Sequence, residues 1–137
     1  MSTTPPIRVL HVDDEPDFGA MVAEFLERED NRLEITSASS AADGLTELQE
    51  TQFDCIVSDY DMPRQNGLEF FESVRETHSD VPFILFTGKG SEEIASDALS
   101  AGVDDYLQKQ GGTSQYTLLT NRITNAVAQY RSKQEFE

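Results

Sequence analysis

Five short apolar segments alternate along the chain with longer segments in which apolar residues recur every three or four positions. The short segments cover residues 7–12, 33–36, 53–58, 81–86 and 103–107, and each has the length of a β-strand. The third and fourth are almost continuously apolar, which is typical of parallel strands covered by helices on both faces. The pattern therefore predicts an α/β fold, with a doubly wound, five-stranded parallel sheet and helices on both of its faces.

Helical spacing fills the segments between the predicted strands. Asp17 can cap the first helix and Ser40 the second, while Ser91, followed by two glutamates, suits the start of the fourth. Glu15, together with Asp17, is expected to favour the start of the first helix through the helix dipole. The last helix carries an apolar stripe formed by Tyr116, Leu119, Ile123, Ala126, Val127 and Tyr130.

The chain has 137 residues and a formal charge of −16, from 26 acidic and 10 basic residues. Such a charge repels nucleic acid and anionic membrane surfaces, and no apolar run approaches the roughly 20 residues of a membrane-spanning helix. We therefore expect one cytoplasmic domain over residues 1–137, with a core from about 7 to 130 and flexible or linker segments at 1–6 and 131–137. The acidic composition is typical of halophilic proteins, because high salt screens the repulsion among surface charges.

Cysteine and histidine contribute little to the predicted chemistry. Cys55 is the only cysteine, so the chain can form no internal disulfide, and its apolar neighbours indicate a buried, inert thiol. His11 and His78 belong to no cluster of ligands, and both are expected to be structural. A zinc site is therefore disfavoured.

Chemically active side chains follow four of the predicted strands. Asp13 and Asp14 come after the first strand, Asp59 after the third, Thr87 after the fourth and Lys109 after the fifth. Because the carboxyl ends of parallel strands meet at one edge of a sheet, these side chains are expected to converge. Three carboxylates at close range repel strongly, and a divalent cation with oxygen ligands offsets that repulsion. A site with few carboxylates suits Mg²⁺, or Mn²⁺ in its place, better than Ca²⁺.

A metal site beside a lysine and a hydroxyl group suits phosphoryl transfer. Asp59 is the predicted nucleophile and would form an acyl phosphate. The cation and Lys109 would neutralise the phosphoryl oxygens, and the Thr87 hydroxyl and the Gly88 backbone N–H could donate to another oxygen. No general base is required, since a carboxylate is already ionised.

The same residues resemble the receiver domain of two-component response regulators, from Ile7 to about Tyr130. The matching motifs are VDDE at 12–15, DYDMPRQNG at 59–67, LFTG at 85–88 and DDYLQK at 104–109. The resemblance implies the flavodoxin-like strand order 2-1-3-4-5. It also implies that Asp59 is the phosphoacceptor, that Asp14 and Asp59 bind Mg²⁺ directly with the backbone carbonyl of Asp61, and that Asp13 assists through water.

The resemblance further implies a regulatory phosphoacceptor rather than an enzyme, supplied by a histidine kinase or a phosphotransfer protein. On phosphorylation, Thr87 would move toward the phosphoryl group and Tyr106 would turn inward, which would alter the face formed by the fourth helix, fifth strand and fifth helix. That face would bind a downstream protein, a fused output domain or a second copy of the chain. The polar end of the last helix resembles the exit from receivers in halophilic archaeal proteins that continue into sensory or histidine-kinase modules, so a stand-alone protein and an excised domain both remain open.

Three features depart from the family pattern. The family usually has proline after its lysine, whereas Gln110 and two glycines follow Lys109 here, so the loop is expected to have a different shape. Asp61 and Lys89 lie two residues beyond Asp59 and Thr87, where they would line the path of a hydrolytic water. We expect them to give an unusual dephosphorylation rate, of either sign.

Three alternative functions share parts of the pattern. The DYD sequence at 59–61 matches the D-x-D motif of haloacid-dehalogenase-type phosphatases, but that family places the motif after its first strand and uses a longer chain. The GKG sequence at 88–90 suggests a nucleotide- or flavin-binding loop, yet Phe83 stands where a P-loop requires glycine. A receiver that binds partners without phosphorylation is disfavoured by intact Asp14, Asp59, Thr87 and Lys109.

Overall fold

The computed structural model describes residues 5–88 and 92–135, in which strands and helices alternate. The strands are β1 (Ile7–Val12), β2 (Leu33–Ala38), β3 (Cys55–Ser58), β4 (Phe83–Thr87) and β5 (Asp105–Gln108). The helices are α1 (Pro16–Glu29), α2 (Ala41–Glu50), α3 (Gly67–Thr77), α4 (Glu92–Ala101) and α5 (Ser114–Glu135). All strand pairs are parallel and their order is β2-β1-β3-β4-β5, which confirms the predicted fold class.

Two apolar layers cover the faces of the sheet. Helices α1 and α5 pack on one face, where Val22 and Leu26 meet Leu119 and Ile123. Helices α2, α3 and α4 pack on the other face, which contains the tilted ring pair of Phe70 and Phe83. Each fully buried side chain of this size contributes about 2–3 kcal/mol to the free energy of unfolding. The sheet is therefore buried on both sides, and only its edges are open to a ligand.

The strand boundaries differ from the prediction by about two residues. Strands β3, β4 and β5 begin later than their apolar segments, because Phe53, Val81 and Val103 are buried outside the hydrogen-bonded ladder. Strand β2 continues to Ala38. Thr87 is the last residue of β4 rather than the residue that follows it. Apolar residues predicted which positions are buried, but not which of them pair with a neighbouring strand.

The helix starts also divide into correct and incorrect predictions. Ser40 caps α2, since its side chain accepts a hydrogen bond from the Asp43 backbone N–H at 3.0 Å. The prediction that Asp17 caps α1 was wrong: the helix begins at Pro16, and Asp17 lies in its first turn, where its charge favours the helix dipole. Glu15 occupies the cap position, but its side chain makes no capping hydrogen bond to the helix. Ser91 lies outside the described residues.

The end of α5 is tied to the start of β1. Arg131 Nη2 donates to the Pro6 carbonyl oxygen at 2.6 Å and to Asp54 Oδ2 at 3.1 Å. Asp54 Oδ2 also accepts from the Arg8 backbone N–H at 2.9 Å. Helix α5 continues through Glu135. It therefore includes part of the segment 131–137, which was expected to be flexible or a linker. None of the helices in the described ranges is both long and apolar enough to cross a membrane.

Candidate functional site

Three carboxylates meet at the carboxyl ends of β1 and β3. Ligand oxygens of Asp13, Asp14 and Asp59 all lie within 4.8 Å of one another. The two strands are neighbours with Val12 opposite Ser58, and the Asp59 backbone N–H donates to the Val12 carbonyl oxygen at 2.9 Å. The residues that follow the two strands are therefore held side by side. Asp13 and Asp59 are buried, whereas Asp14 is exposed.

Lys109 supplies a positive charge within this group. Its Nζ atom lies 2.9 Å from Asp13 Oδ2 and 3.5 Å from Asp59 Oδ2. The Lys109 backbone N–H donates to the Thr87 carbonyl oxygen at 2.8 Å, which extends the pairing of β4 and β5 to the base of the side chain. One ammonium and three carboxylates leave two negative charges uncompensated among these four side chains. The site is therefore suited to attract a further cation.

Backbone N–H groups hold the other oxygens of the two buried acids. Asp13 Oδ1 accepts from the Glu15 N–H at 2.9 Å, and Asp59 Oδ1 accepts from the Tyr60 N–H at 2.7 Å. Each acid thus has one oxygen bound to the chain that follows it, while its second oxygen faces Lys109. These bonds fix the orientation of both carboxylates.

Gly67 allows the loop after β3 to fold tightly against Asp59. The Gly67 N–H donates to the Tyr60 carbonyl oxygen at 2.8 Å. A Cβ atom at Gly67 would lie 2.4 Å from the Asp59 carbonyl oxygen and 2.9 Å from Tyr60 Cα, which is too close for any side chain. Within the same loop Arg64 has a φ of 73°, in the left-handed region. The backbone of Asp59 and Tyr60 therefore packs directly against the start of α3.

The acids open into a cleft of about 310 Å³ at this edge of the sheet. Its lining residues are Asp14, Glu15, Phe18, Asp59, Asp61, Thr87, Gly88 and Lys109. Thr87 is buried, while Asp61 and Gly88 are exposed. The structure thus brings together all the residues expected to meet here, except that Lys89 lies outside the described residues. Carboxylates, a hydroxyl and an ammonium around one cleft suit the binding of a phosphoryl group with a cation.

The protein-family model of the response regulator receiver domain matches residues 9–121 of the sequence. This chain belongs to that family.

Relatives and solved structures agree with the assignment. A probable C4-dicarboxylate response regulator, DctR, of Halalkalibacterium halodurans is 32% identical over 109 residues, covering 80% of this chain and 47% of the relative. A hybrid signal transduction histidine kinase of Dictyostelium discoideum is 30% identical over 128 residues, covering 92% of this chain and 8% of the relative. The response regulator TrrA of Thermotoga maritima, solved with Mg²⁺ and BeF, matches with 27% identity and a TM-score of 0.73, covering 85% of this chain and 98% of that one. The chain therefore spans less than half the length of the two curated relatives.

This receiver domain is a phosphorylation-dependent switch of a two-component system. It is a regulatory phosphoacceptor domain. The D-x-D motif follows β3, and the family match covers it, which argues against the haloacid-dehalogenase alternative.

Tyr106 of the receiver domain lies on β5, opposite Leu85 of β4. Its half-buried ring packs against the apolar layer formed by α2, α3 and α4. The hydroxyl oxygen is shielded from solvent and has no hydrogen-bond partner among the residues that the structure describes. This position leaves the phenol without a polar interaction that would hold it there.

A side-chain bracket shapes the loop after Lys109. Gln115 Oε1 accepts from the Gln110 backbone N–H at 2.9 Å, and Gln115 Nε2 donates to the Gly112 carbonyl oxygen at 2.9 Å. Gly112 has a φ of 91°, which favours glycine. No peptide bond in the described ranges is cis, so the bond after Lys109 is trans. The first turn of α5 thus closes the loop that carries the lysine.

The histidines and the cysteine contribute no ligand to the cleft. His11 is fully buried under α1, and burial lowers its pKa to about 4. Both of its ring nitrogens lack a hydrogen-bond partner within the described part of the chain. His78 ends α3, where its Nδ1 lies 2.8 Å from Thr77 Oγ1. Cys55 is a buried free thiol, and burial raises its pKa far above the ordinary value.

Sequence reasoning missed the roles of four residues around the site. Asn66 and Glu69 form a capping box that starts α3 beside the cleft. The N-x-x-E spacing in the sequence could have predicted it. The hydrogen bonds of Gln115 could not be predicted from the sequence, because they depend on the shape of the preceding loop. The contact between Phe18 and the cleft left no signal either, since Phe18 stands in a segment whose spacing predicts only a helix.

Proposed function

We propose that Asp59 is the residue of this receiver domain that accepts the phosphoryl group. The arrangement that carries the proposal is the ammonium of Lys109 between two buried carboxylates, at one wall of a cleft that also contains Thr87. Asp59 Oδ2 is the oxygen that faces the lysine, while Oδ1 is bound to the Tyr60 N–H. The oriented carboxylate would attack without a general base, since it is already ionised.

In the proposed reaction, an Asp59 oxygen attacks the phosphorus atom of a phosphohistidine or of a small phosphoryl donor. The new P–O bond forms an acyl phosphate as the bond from phosphorus to the donor breaks, and its electron pair leaves with the donor. Lys109 neutralises the phosphoryl oxygens, and the Thr87 hydroxyl and Gly88 N–H donate to them. A histidine kinase or phosphotransfer protein supplies the phosphoryl group, and the domain also catalyses its own phosphorylation and dephosphorylation.

The donor set of the cleft fits Mg²⁺, or Mn²⁺ in its place. Carboxylate oxygens of Asp13, Asp14 and Asp59 lie within 4.8 Å of one another, and hard divalent cations prefer oxygen ligands. Asp14 and Asp59 would hold the ion directly with the backbone carbonyl of Asp61, and Asp13 would assist through water. A bound ion would supply positive charge for the phosphoryl oxygens, beyond what Lys109 provides. The TrrA structure, which contains Mg²⁺ and BeF, supports the choice of metal.

The output of the switch is proposed to pass through Thr87 and Tyr106. Thr87 would move toward the phosphoryl group, and the Tyr106 ring would turn into the space that it leaves. The hydroxyl of Tyr106 has no partner among the described residues, which supports a ring able to change position. The face of α4, β5 and α5 would then bind a downstream protein, a fused output domain or a second copy in a homodimer.

Asp61 and Lys89 are proposed to tune the lifetime of the phosphoryl group. Asp61 is exposed and lines the cleft, which supports its access to an attacking water. Its carboxylate adds negative charge beside the acyl phosphate. Comparing phosphoryl lifetimes of the parent with Asp61→Asn and with Lys89→Ala tests this role, and equal lifetimes in all three would refute it.

Incubation with acetyl phosphate and Mg²⁺ tests the central proposal. Intact-mass spectrometry should show one added phosphoryl group in the parent and none in Asp59→Asn. Asp80→Asn, which changes an exposed acid before β4, is the matched control and should gain the group as the parent does. Labelling of Asp59→Asn to the same extent as the parent would overturn the assignment.

We further propose that the domain functions in the cytoplasm of a halophile, with residues 1–137 acting as a single receiver. The charge of −16 supports this, because self-repulsion of that size is relieved by salt. The midpoint of thermal unfolding should rise steeply from low to molar KCl. A midpoint independent of KCl would contradict the halophilic assignment.

A further inference from the structure

An aromatic ring of α1 lies against the lysine of the phosphoryl cleft. The Lys109 Nζ atom is 4.3 Å from the centroid of the Phe18 ring and 5.8 Å from that of Phe86. Phe18 is half-buried and lines the cleft together with Asp59 and Thr87. We propose that Phe18 is a positioning residue of the phosphoryl site, which holds the Lys109 ammonium where it can contact a phosphoryl oxygen on Asp59. The inference rests on the proposed role of Asp59.

The carboxylates alone do not fix the lysine at the phosphoacceptor. Nζ lies closer to Asp13 Oδ2, at 2.9 Å, than to Asp59 Oδ2, at 3.5 Å. A lysine side chain has four flexible carbon–carbon bonds, and its ammonium exchanges acceptors readily. The face of a phenyl ring attracts a cation, and the ring also excludes water from that side of the ammonium. The Phe18 ring therefore restricts the positions that Nζ can occupy between the two acids.

The local fold brings Phe18 to this place. It is the third residue of α1, which begins at Pro16, two residues after Asp14. Gly19, the next residue, is buried, and a Cβ atom built there would lie 3.8 Å from His11 Nδ1, so α1 is in van der Waals contact with the end of β1. The Phe18 ring lies 6.4 Å from the His11 ring and is tilted by 54° to it. The ring is thus placed by α1 beside the end of β1, whereas the lysine lies directly after β5.

Phe86 does not replace this contact. Its ring is fully buried in the sheet, and its centroid lies near the distance limit of about 6 Å for a cation–π interaction. Phe18 is closer and reaches the cleft, so its removal exposes one side of the ammonium. We expect Lys109 then to remain with Asp13 for a larger share of the time and to stabilise the transferring group less.

Phosphorylation kinetics with acetyl phosphate and Mg²⁺ test the proposal in four proteins. Phe18→Leu removes the aromatic face and keeps an apolar side chain, and it should slow phosphorylation by about three- to tenfold. Phe18→Tyr keeps the ring face and should react at about the parent rate. Phe25→Leu is the matched control: Phe25 lies on α1 and stacks on Tyr116 at 4.7 Å, away from the cleft, so its rate should equal that of the parent. The midpoints of thermal unfolding of all four proteins show whether a slower rate arises from a loss of stability.

A double-mutant cycle separates positioning from a general structural effect. In a Lys109→Met background, Phe18→Leu should cause no further loss of rate, because the cation it restrains is absent. Equal additional loss in both backgrounds would overturn the proposal, as would a parent rate in Phe18→Leu or a slow Phe18→Tyr. If the parent itself gains no phosphoryl group, the role of Asp59 fails instead.

A second measurement does not depend on activity. In the unphosphorylated protein the Phe18 ring current should shift the NMR signals of the Lys109 Cε protons upfield. The shift should persist in Phe18→Tyr and Phe25→Leu and disappear in Phe18→Leu. Unshifted Cε protons in the parent would show that the ring does not hold the lysine, whatever the kinetics.

Discussion

Lys109 is paired more closely with Asp13 than with Asp59, at 2.9 Å against 3.5 Å. The Asp13 side chain is only 1% exposed, so this pair is shielded from solvent on the side of the acid. The Lys109 ammonium therefore neutralises the carboxylate of Asp13, which is also proposed to assist in binding a metal ion. The lysine and the proposed metal ion would then compete for the same negative charge.

Replacing Lys109 by methionine should strengthen the binding of Mg²⁺. Removing a positive charge beside the site relieves more than about 1.4 kcal/mol of repulsion, which corresponds to at least about a tenfold lower dissociation constant. Titration with MgCl₂, followed by calorimetry or tyrosine fluorescence, measures this. Lys133→Met, an exposed lysine near the end of α5, is the matched control and should bind as the parent does. An unchanged or weaker affinity in Lys109→Met would show that the two cations do not compete.

Gly67→Ala should destabilise the domain by about 2–4 kcal/mol, because its Cβ atom would overlap the Asp59 carbonyl oxygen and force the backbone apart. Urea unfolding measures the loss. Gly111→Ala is the control: a Cβ atom there meets nothing within 4 Å, and the free energy of unfolding should stay equal or rise by up to about 1 kcal/mol. Similar free energies of unfolding of the two variants would mean that the loop after β3 can move away from α3 at little energetic cost.

Gln115→Ala should loosen the loop after Lys109, since it removes both hydrogen bonds of the bracket. We expect faster hydrogen exchange of the Gln110 N–H and a loss of about 1 kcal/mol in the free energy of unfolding. Gln129→Ala changes an exposed glutamine of the same helix and should leave that exchange rate unchanged. Exchange at the parent rate in Gln115→Ala would show that the loop holds its shape without the bracket.

Cys55 should weaken the domain at alkaline pH. Burial raises the pKa of its thiol, so the folded state keeps the proton that the unfolded chain releases above the ordinary thiol pKa of 9.0. The free energy of unfolding then falls as the pH rises past 9, by up to about 1.4 kcal/mol per pH unit. Denaturant unfolding at pH 7.5 and pH 10 should show a larger alkaline loss in the parent than in Cys55→Val. Equal losses would indicate that the thiol ionises within the fold.

The sequence predicted the positions of the acids because they depend on backbone topology alone. Asp13, Asp14 and Asp59 follow strands that the apolar pattern located, and parallel order then places them together. The Lys109 pairing was not predictable in the same way. It joins residues 96 positions apart, and the choice between the two acids depends on side-chain conformation.

The remaining misses have local physical causes. Asp17 was expected to cap α1, but proline is favoured in the first helical position, so the helix begins at Pro16, two residues before the start that an Asp17 cap implies. Phe53, Val81 and Val103 were assigned to strands because burial and strand pairing produce the same apolar signal. The pattern of apolar residues predicts burial. Whether a buried residue also forms the hydrogen bonds of the sheet depends on the position of the neighbouring strand.

The contact of Arg131 with the Pro6 carbonyl brings the two ends of the described fold together. Both ends lie at the amino-terminal edge of the sheet, and the acids lie at the carboxyl edge, a strand length of roughly 20 Å away. Such a unit can be inserted into a loop of another protein, or circularly permuted, with little strain on its backbone. A protein fused at either end would leave the cleft accessible, and this receiver could serve as a replaceable module in engineered signalling chains.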